Sequence, residues 1–231
     1  MITTNIAEAA VSIAEAQAFA RIETGDEDAL LAALFELPPE EESADSSVKL
    51  YLAGSNAGLW KPVPVELSLG DTPLAGVALA RRAILGVAES ALDPAAPSEL
   101  DDLSTFVVQL TNPGQLLLNA DQAALMAGAN LAILGDELIQ FGEASQLDAG
   151  RFRLSRLLRG RRGTLWADST HAIGDRFCMI DSAAMRTIAL PASAVGAKLT
   201  AIAHGIGDAA PLPVSTRIIS GESLRPPTLT G

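Results

Sequence analysis

A histidine and a cysteine seven positions apart are the residues of this chain best placed to supply a base and a nucleophile. His171 precedes Cys178. The aspartates that could orient the imidazole are Asp168, Asp175 and Asp181. Acids beside a histidine are expected by chance in a chain with 28 aspartate and glutamate residues. The pattern therefore favours a small buried cysteine and a histidine in turn hydrogen bonds, and we predict that the chain is not an enzyme.

Metal and cofactor chemistry lack the residues that they need. Cys178 is the single cysteine, which excludes an internal disulfide and any cysteine-based metal cluster. His204, the second histidine, lies in an alternating segment and is interpreted as a polar-face or strand-end residue. Gly160–Thr164 lacks the Gly-Lys-Ser/Thr ending of a phosphate-binding loop. We predict no catalytic, metal-binding or cofactor-binding residues, although a glycosidase-type carboxylate pair stays open, because only its spacing in three dimensions decides it.

Three arginines crowd a short glycine-containing turn and are the candidate interface residues. Arg159, Arg161 and Arg162 lie within four positions, and Gly160 and Gly163 suit a backbone with positive φ. Like charges this close repel one another, whereas guanidinium groups pair well with acidic surfaces. Two interpretations stay open: the solvent face of a hairpin, or a docking site for another protein or another copy of this chain. Nucleic-acid binding is not expected, because no recognition helix or interleaved aromatics accompany the cluster.

The scarce aromatic residues bear on whether the chain recognises a glycan. Tyr51, Trp60 and Trp166 are the candidate stacking residues. Three scattered aromatics make a thin platform, and packing against the core is the competing interpretation. A glycan-binding β module is therefore an alternative function, and a cell-wall-degrading enzyme is a further one for which the sequence offers no residues.

The arginine turn follows two segments that are typical of a β-hairpin. Asp136–Ala144 and Arg151–Leu158 alternate apolar and polar residues, and the polar connector Ser145–Gly150 joins them. The predicted core positions of the hairpin are Phe141, Phe152 and Leu154, and the predicted outer positions are Arg151 and Arg153.

The rest of the chain predicts a mainly β protein with a helical N-terminal segment. The first 22 residues have helical spacing, residues 27–31 favour a helix, and residues 32–37 stay open between helix and strand. Pro38–Ser47 is a polar linker, so residues 1–47 form a separable acidic arm and residues 48–231 a β-rich domain. Many short segments separated by turn signals indicate a sandwich- or barrel-like antiparallel fold. One short internal helix over Asp121–Ala127 and a possible subdomain break near 93–102 complete the prediction.

The predicted hairpin, the arginine turn and the segment that follows them carry a resemblance to a known family. Gly135–Phe141, Arg153–Thr164 and His171–Phe177 resemble the C-terminal region of tail-tip host-specificity proteins, the baseplate hub proteins of gene transfer agents and related long-tailed phages. The likeness is strongest over Thr105–Asp181 and weaker over Val48–Leu92 and toward Pro226. In that family a glycoside-hydrolase-like barrel and hub domains precede this region, and no activity located in them carries over. Whether the chain is a complete protein or a piece of a longer hub protein stays open.

What the resemblance implies is a virion component. It implies a structural part of a tail tip or baseplate, made in the bacterial cytoplasm, that attaches fibres or recognises the host surface. The implied partners are other tail, baseplate or fibre proteins and a host-surface glycan. The family's hub proteins are trimeric in the particle, so a homo-oligomer is expected from the resemblance.

The composition indicates a folded protein, and the net charge disfavours binding to anionic partners. Hydrophobic residues make up 48% and charged residues 19% of the 231 positions, which favours a packed core over disorder. No run approaches the roughly 20 apolar residues of a membrane span, and the first residues do not read as a secretory signal. The net charge of −12 is concentrated in residues 1–50, whereas residues 151–176 are basic. The acidic bulk disfavours nucleic acid and anionic membranes, so neither is expected as a partner.

Overall fold

The described part of the protein is mainly β, as predicted. A computed structural model describes residues 30–39, 46–94, 100–205 and 214–226. The predicted N-terminal helix over residues 1–22 lies outside the described residues. The strands are β1 (Leu31–Glu36), β2 (Val48–Ser55), β3 (Val63–Leu69), β4 (Thr72–Leu79), β5 (Leu85–Ala88), β6 (Phe106–Leu110), β7 (Leu131–Leu134), β8 (Glu137–Asp148), β9 (Arg151–Leu158), β10 (Arg176–Met179), β11 (Arg186–Leu190), β12 (Lys198–Ala203) and β13 (Val214–Ile218). The helices are α1 (Gln122–Met126) and the 3-10 segments η1 (Arg161–Thr170), η2 (Ala192–Ala194) and η3 (Glu222–Leu224).

Six consecutive strands close into an antiparallel barrel. The order around the barrel is β10-β5-β6-β9-β8-β7. Its interior is filled by phenylalanine and aliphatic side chains, and the largest of them are Phe106, Phe141, Phe152 and Phe177. Closure leaves no exposed sheet edge, so every strand of the barrel is paired on both sides. The core assignments of Phe141, Phe152 and Leu154 are confirmed.

The strands on either side of the barrel in sequence form a two-sheet sandwich. One sheet has the order β1-β2-β11 and the other β13-β12-β3-β4. The inward residues of both sheets share one apolar core. The barrel is thus an insertion between β4 and β11. The segment near 93–102 lies between β5 and β6 in the chain. These two strands are paired neighbours of one barrel, so no subdomain break separates them.

Strand β1 is buried on both faces, which corrects two expectations. Leu30, Ala32 and Leu34 enter the sandwich core, while Leu31, Ala33 and Phe35 pack against the barrel side. A strand covered on both faces carries a continuous apolar run, which sequence spacing alone confuses with a buried helix. The helix favoured for residues 27–31 is therefore wrong at Leu31. Residues 30–37 also belong to the folded core and not to a separable arm.

The hairpin of β8 and β9 is longer and tighter than predicted. Strand β8 continues to Asp148, with an irregularity between Gln146 and Asp148, so the connector shrinks to Ala149–Gly150. Gly150 has φ +70°, and an added Cβ would lie 2.7 Å from Pro113 Cα. Glycine is therefore required at this turn by both conformation and space. Arg151 and Arg153 are exposed, as predicted.

The internal helix forms where the sequence places it. Helix α1 spans Gln122–Met126, and Asp121 Oδ1 accepts a hydrogen bond from Ala124 N at 2.8 Å. This cap satisfies one of the free N–H groups of the first turn. The helix anchors on β8 through Gln140, whose amide donates to Leu125 O and Ala129 O.

Candidate functional site

Three turns at one end of the barrel bring together a buried cluster of ionisable side chains. Glu137 begins β8, Arg159 follows β9, and His171 and Asp175 lie between η1 and β10. All four lie within the segments that carry the family resemblance. We call Glu137, Arg159, His171 and Asp175 the ion cluster. The side chains of Glu137, Arg159 and His171 are at most 2% exposed.

Glu137 is the centre of the cluster. The Nε of Arg159 donates to Glu137 Oε1 at 3.0 Å, and its Nη2 donates to Oε2 at 2.8 Å. Gly160 N donates to Oε1 at 2.6 Å. Burial alone would raise the pKa of Glu137, but the hydrogen bonds from His171 and Arg159 outweigh it and hold the pKa below its usual value. The carboxylate is therefore charged and fully partnered.

His171 is held between two carboxylates. Its Nε2 lies 2.6 Å from Glu137 Oε2 and its Nδ1 lies 3.2 Å from Asp175 Oδ2. Burial alone would lower the pKa of His171, but these two hydrogen bonds dominate and raise the pKa to about 9. An imidazolium donates from both nitrogens, which suits two acceptors. The cluster therefore pairs two cations with two anions.

The arginine-rich turn is folded around this cluster by glycines and a threonine. Gly160 and Gly163 have φ of +61° and +79°, which confirms the predicted positive φ. A Cβ at Gly160 would lie 2.7 Å from Leu165 Cβ. Thr164 Oγ1 accepts from Leu138 N and donates to Arg161 O, so the turn is tied to β8. Glu137 and Thr164 were not predicted as site residues from the sequence. Both lie in the segments that resemble the known family, and this position was the sequence feature that could have indicated them.

The turn does not present its three arginines alike. Arg159 points inward and its side chain is 1% exposed, so its place among the candidate interface residues is corrected. The reason is local: Arg156 has φ +54°, which interrupts the alternation of β9. Before it Phe152 and Leu154 are buried, and after it the odd positions 157 and 159 are buried. Arg161 and Arg162 are half-buried at the surface, and their interface role stays a prediction.

His171 and Cys178 are each engaged elsewhere and do not act on one another. Both ring nitrogens of His171 face carboxylates. Cys178 lies inside β10, and burial raises the pKa of its thiol far above the ordinary value. His204 Nε2 lies 3.2 Å from Glu66 Oε1 at the end of β12. Among the described residues, no group of three or more His, Cys, Asp and Glu side chains is arranged to hold a metal ion.

The three candidate stacking aromatics pack against different parts of the protein. Tyr51 stacks on Phe35 with ring centroids 6.3 Å apart. Trp60 packs against the sandwich core, and its Nε1 donates to Ala80 O. Trp166 in η1 is 50% exposed, with the Arg225 guanidinium 5.6 Å from its ring centroid. They do not form one platform.

A pocket adjoins the ion cluster where the barrel meets the sandwich. It has a volume of about 210 Å³ and is lined by β1 and β13 on one side and by two Gly-Asp turns of the barrel on the other. The turns are Gly135-Asp136 and Gly174-Asp175, held together by a hydrogen bond from Gly135 N to Arg176 O. Arg217 of β13 reaches across, with its Nη1 2.6 Å from Asp136 Oδ1.

A second contact across the junction fixes the edge of β1. The Nη1 of Arg176 donates to Ala32 O at 3.0 Å and to Ser215 Oγ at 3.1 Å. Ser215 Oγ in turn accepts from Leu34 N at 3.1 Å. Charged groups of barrel and sandwich therefore hold the walls of the pocket in place.

These features define a class of antiparallel β protein in which a six-stranded closed barrel is set into a two-sheet sandwich. Residues 83–178 match a family described as Rcc01698-like, C-terminal, a name associated with proteins of the gene-transfer-agent type. The matched range, less than half of the chain, begins two residues before β5 and ends one residue before the end of β10, so it coincides with the barrel and contains the whole ion cluster. No match was found among curated proteins. The described residues include no helix that is both long and apolar enough to span a membrane.

Proposed function

We propose that this chain is a structural component of a phage-like tail tip or baseplate in a gene-transfer-agent-type particle. The observation that carries the proposal is the coincidence of the matched family range with the closed barrel. The longer resemblance to tail-tip host-specificity proteins supports the same role. In this proposal the chain acts in the virion tail tip, as several copies, and attaches fibres or contacts the host surface.

The chemistry of the ion cluster favours a scaffold over a catalyst. A general base needs a nitrogen or carboxylate that can reach a substrate. In the ion cluster His171 Nε2 is bonded to Glu137 and His171 Nδ1 to Asp175, and both Glu137 oxygens also accept from Arg159 or Gly160 N. The cluster instead joins β8, β9 and β10, which fixes the turn that carries Arg161. We therefore propose a non-enzymatic role in which this turn is presented to a neighbouring subunit.

Charge reversal at the turn tests the proposal. Arg161→Glu should leave the monomer folded and reduce incorporation into particles, because the turn would then repel an acidic neighbour. Arg81→Glu is the matched control, since Arg81 is exposed in the connection between β4 and β5 and lies outside the turn. Particles are purified from cells that produce each variant, and the amount of this chain per particle is measured. Equal incorporation of both variants would refute the docking role, and a map of the particle without this chain at the tail tip would refute the location.

An assay with cell-wall glycan distinguishes the proposed role from that of a cell-wall-degrading enzyme. Incubation of purified protein with cell-wall glycan should give no cleavage products. Release of soluble fragments would favour a cell-wall-degrading enzyme, and a glycosidase-type carboxylate pair would then have to be sought.

A further inference from the structure

The residues that follow β13 are fastened to β1 by one buried carboxylate. Residues 220–225 form a turn that includes η3, and we call them the C-terminal clasp. The Glu36 side chain, at the end of β1, is 0% exposed. It accepts from Ser220 N at 2.7 Å and from Gly221 N at 2.8 Å, and Glu222 N adds a third bond at 3.0 Å. Hydrogen bonds from N–H groups to a carboxylate are among the strong ones in proteins, so Glu36 is the main anchor of the clasp.

The C-terminal clasp also contacts β2 and the barrel. Lys49, the charged residue of β2 beside it, donates from its backbone N to Ser223 Oγ at 2.8 Å. Arg225, at the end of the clasp, has its guanidinium 5.6 Å from the ring centroid of Trp166 in η1. Trp166 is 50% exposed. The position of the clasp therefore affects the surface of η1 as well as the edge of the sandwich.

Glu222 places a second carboxyl group beside the first. Its side chain is 5% exposed, and its Oε2 is buried and makes no hydrogen bond with the described residues. Ser220 Oγ lies 3.0 Å from Glu36 Oε1 and 3.5 Å from Glu222 Oε1, so one hydroxyl separates the two carboxyl groups. A hydroxyl has one hydrogen to donate, and Glu36 is the nearer acceptor. The hydroxyl therefore does not compensate a charge on Glu222.

One cation pairs with Glu222 among the described residues, and it is largely open to solvent. Arg225 Nη2 lies 2.9 Å from Glu222 Oε1, but the Arg225 side chain is 55% exposed, so solvent screens the pair. Arg217 of β13 is engaged elsewhere, with Nη1 2.6 Å from Asp136 Oδ1 and Nε 3.7 Å from Glu36 Oε1. Burial therefore prevails and raises the pKa of Glu222 above its ordinary 4.5, while Arg225 opposes the shift and Glu36 adds to it.

The docked clasp suits the protonated form of Glu222 better than the ionised form. A neutral carboxyl group loses less on burial and does not repel Glu36. An ionised one puts a second negative charge beside Glu36, where its Oε2 has no donor among the described residues. Undocking would bring Glu222 into water and relieve both penalties. Because the docked form binds the proton more tightly, acid favours docking, and docking weakens as the pH rises through the raised pKa of Glu222.

We propose that the C-terminal clasp is a pH-dependent latch, which is docked on β1 while Glu222 is protonated and loosens when Glu222 ionises beside Glu36. The latch does not depend on the proposed tail-tip role. Loosening would withdraw Arg225 from Trp166 and so change the exposed surface of η1, which also carries Arg161. The pH would then regulate the surroundings of the arginine turn.

Amide hydrogen exchange of the full chain, followed by nuclear magnetic resonance, tests the latch. Exchange rates at Ser220, Gly221 and Lys49 are measured in the parent and in Glu222→Gln between roughly pH 4 and pH 7. The ratio of the two rates at each pH removes the effect of pH on exchange itself. The ratio should be near one in acid and should rise with pH, by about tenfold for each unit by which docking raises the pKa of Glu222. The same ratio at Phe152, in the barrel core, should stay near one throughout.

Two further variants separate the latch from general effects of charge. Asp71→Asn is the matched control, since Asp71 is an exposed carboxylate in the turn between β3 and β4, and it should exchange as the parent does at every pH. Arg225→Gln removes the cation that opposes the pKa shift of Glu222, so exchange at Gly221 should depend on pH more steeply than in the parent. This variant replaces Glu222→Gln if the spectrum of the latter shows loss of the fold.

Three results would overturn the latch. The first is the same pH dependence of clasp exchange in the parent and in Glu222→Gln. The second is faster exchange in Glu222→Gln than in the parent at every pH, which would show that the ionised carboxylate holds the clasp through Arg225. The third, if Arg225→Gln is the variant used, is a pH dependence no steeper than that of the parent.

Discussion

Removal of the Arg159 guanidinium should be far more costly than removal of an exposed one. Arg159→Met keeps an apolar stem of similar length and deletes the hydrogen bonds to both oxygens of Glu137 and to Asp93 O. Breaking a buried ion pair from one side costs about 3–5 kcal/mol, because the partner charge stays buried without compensation. Glu137 would retain His171 and Gly160 N, each at 2.6 Å, so we expect the lower end, about 3 kcal/mol.

Urea unfolding at neutral pH measures this cost. Arg151→Met is the matched control, because Arg151 pairs with Glu89 but its side chain is 45% exposed, and an exposed pair contributes only about 0–1 kcal/mol. Adding Glu137→Gln to Arg159→Met should recover part of the loss, since the uncompensated carboxylate is then gone. If Arg159→Met lowers the free energy of unfolding no more than Arg151→Met does, the ion cluster does not stabilise the barrel and the reasoning fails.

Three further changes probe the same fold. His171 has a pKa of about 9 in the folded protein against an ordinary 6.5, so its proton stabilises the fold fully below about pH 6.5 and the gain disappears as the pH rises through 9. The free energy of unfolding should fall by about 3 kcal/mol more in the parent than in His171→Gln between roughly pH 6 and pH 10, and parallel pH curves would contradict this. Phe152→Ala should cost about 3–5 kcal/mol in urea unfolding, because the side chain is 2% exposed in the barrel core, and a cost below about 1 kcal/mol would contradict the packing. Deletion of residues 1–47 removes β1 and should abolish the cooperative thermal transition, and a deletion protein that still melts cooperatively would show that the sandwich does not need β1.

Local sequence patterns were sufficient to predict the buried side chains of the β8–β9 hairpin and the backbone conformation of the arginine turn. Alternation over Arg151–Leu158 predicts which side chains of the hairpin are inside, and Phe152 and Leu154 are buried as it requires. Glycines in the arginine turn predict positive φ, and Gly160 and Gly163 have it. Both properties depend on a few neighbouring residues. A period of two and the position of a glycine can therefore be recognised in the sequence alone.

The candidate site needed tertiary structure. Glu137 and Arg159 are 22 residues apart, and nothing in either local pattern indicates that they pair. The Arg159 side chain points to the interior because Arg156 has a positive φ, which shifts the alternation of β9 by one residue. The sequence of β9 gives no indication of this conformation. Composition indicates how often each type of residue is buried, and charged residues are seldom buried. A charged residue such as Arg159 is buried only where the fold provides a partner of opposite charge, and this partner is distant in sequence.

Strand β1 shows the same division between sequence and structure. The apolar run Leu31–Phe35 is compatible with burial in either conformation, and all five residues are buried. Whether the run became helix or strand depended on β2, which pairs with it, and on the barrel, which covers its second face. A continuous apolar segment satisfies either period, so the hydrogen-bonding partner and the surfaces on each side, all distant in sequence, decided its conformation.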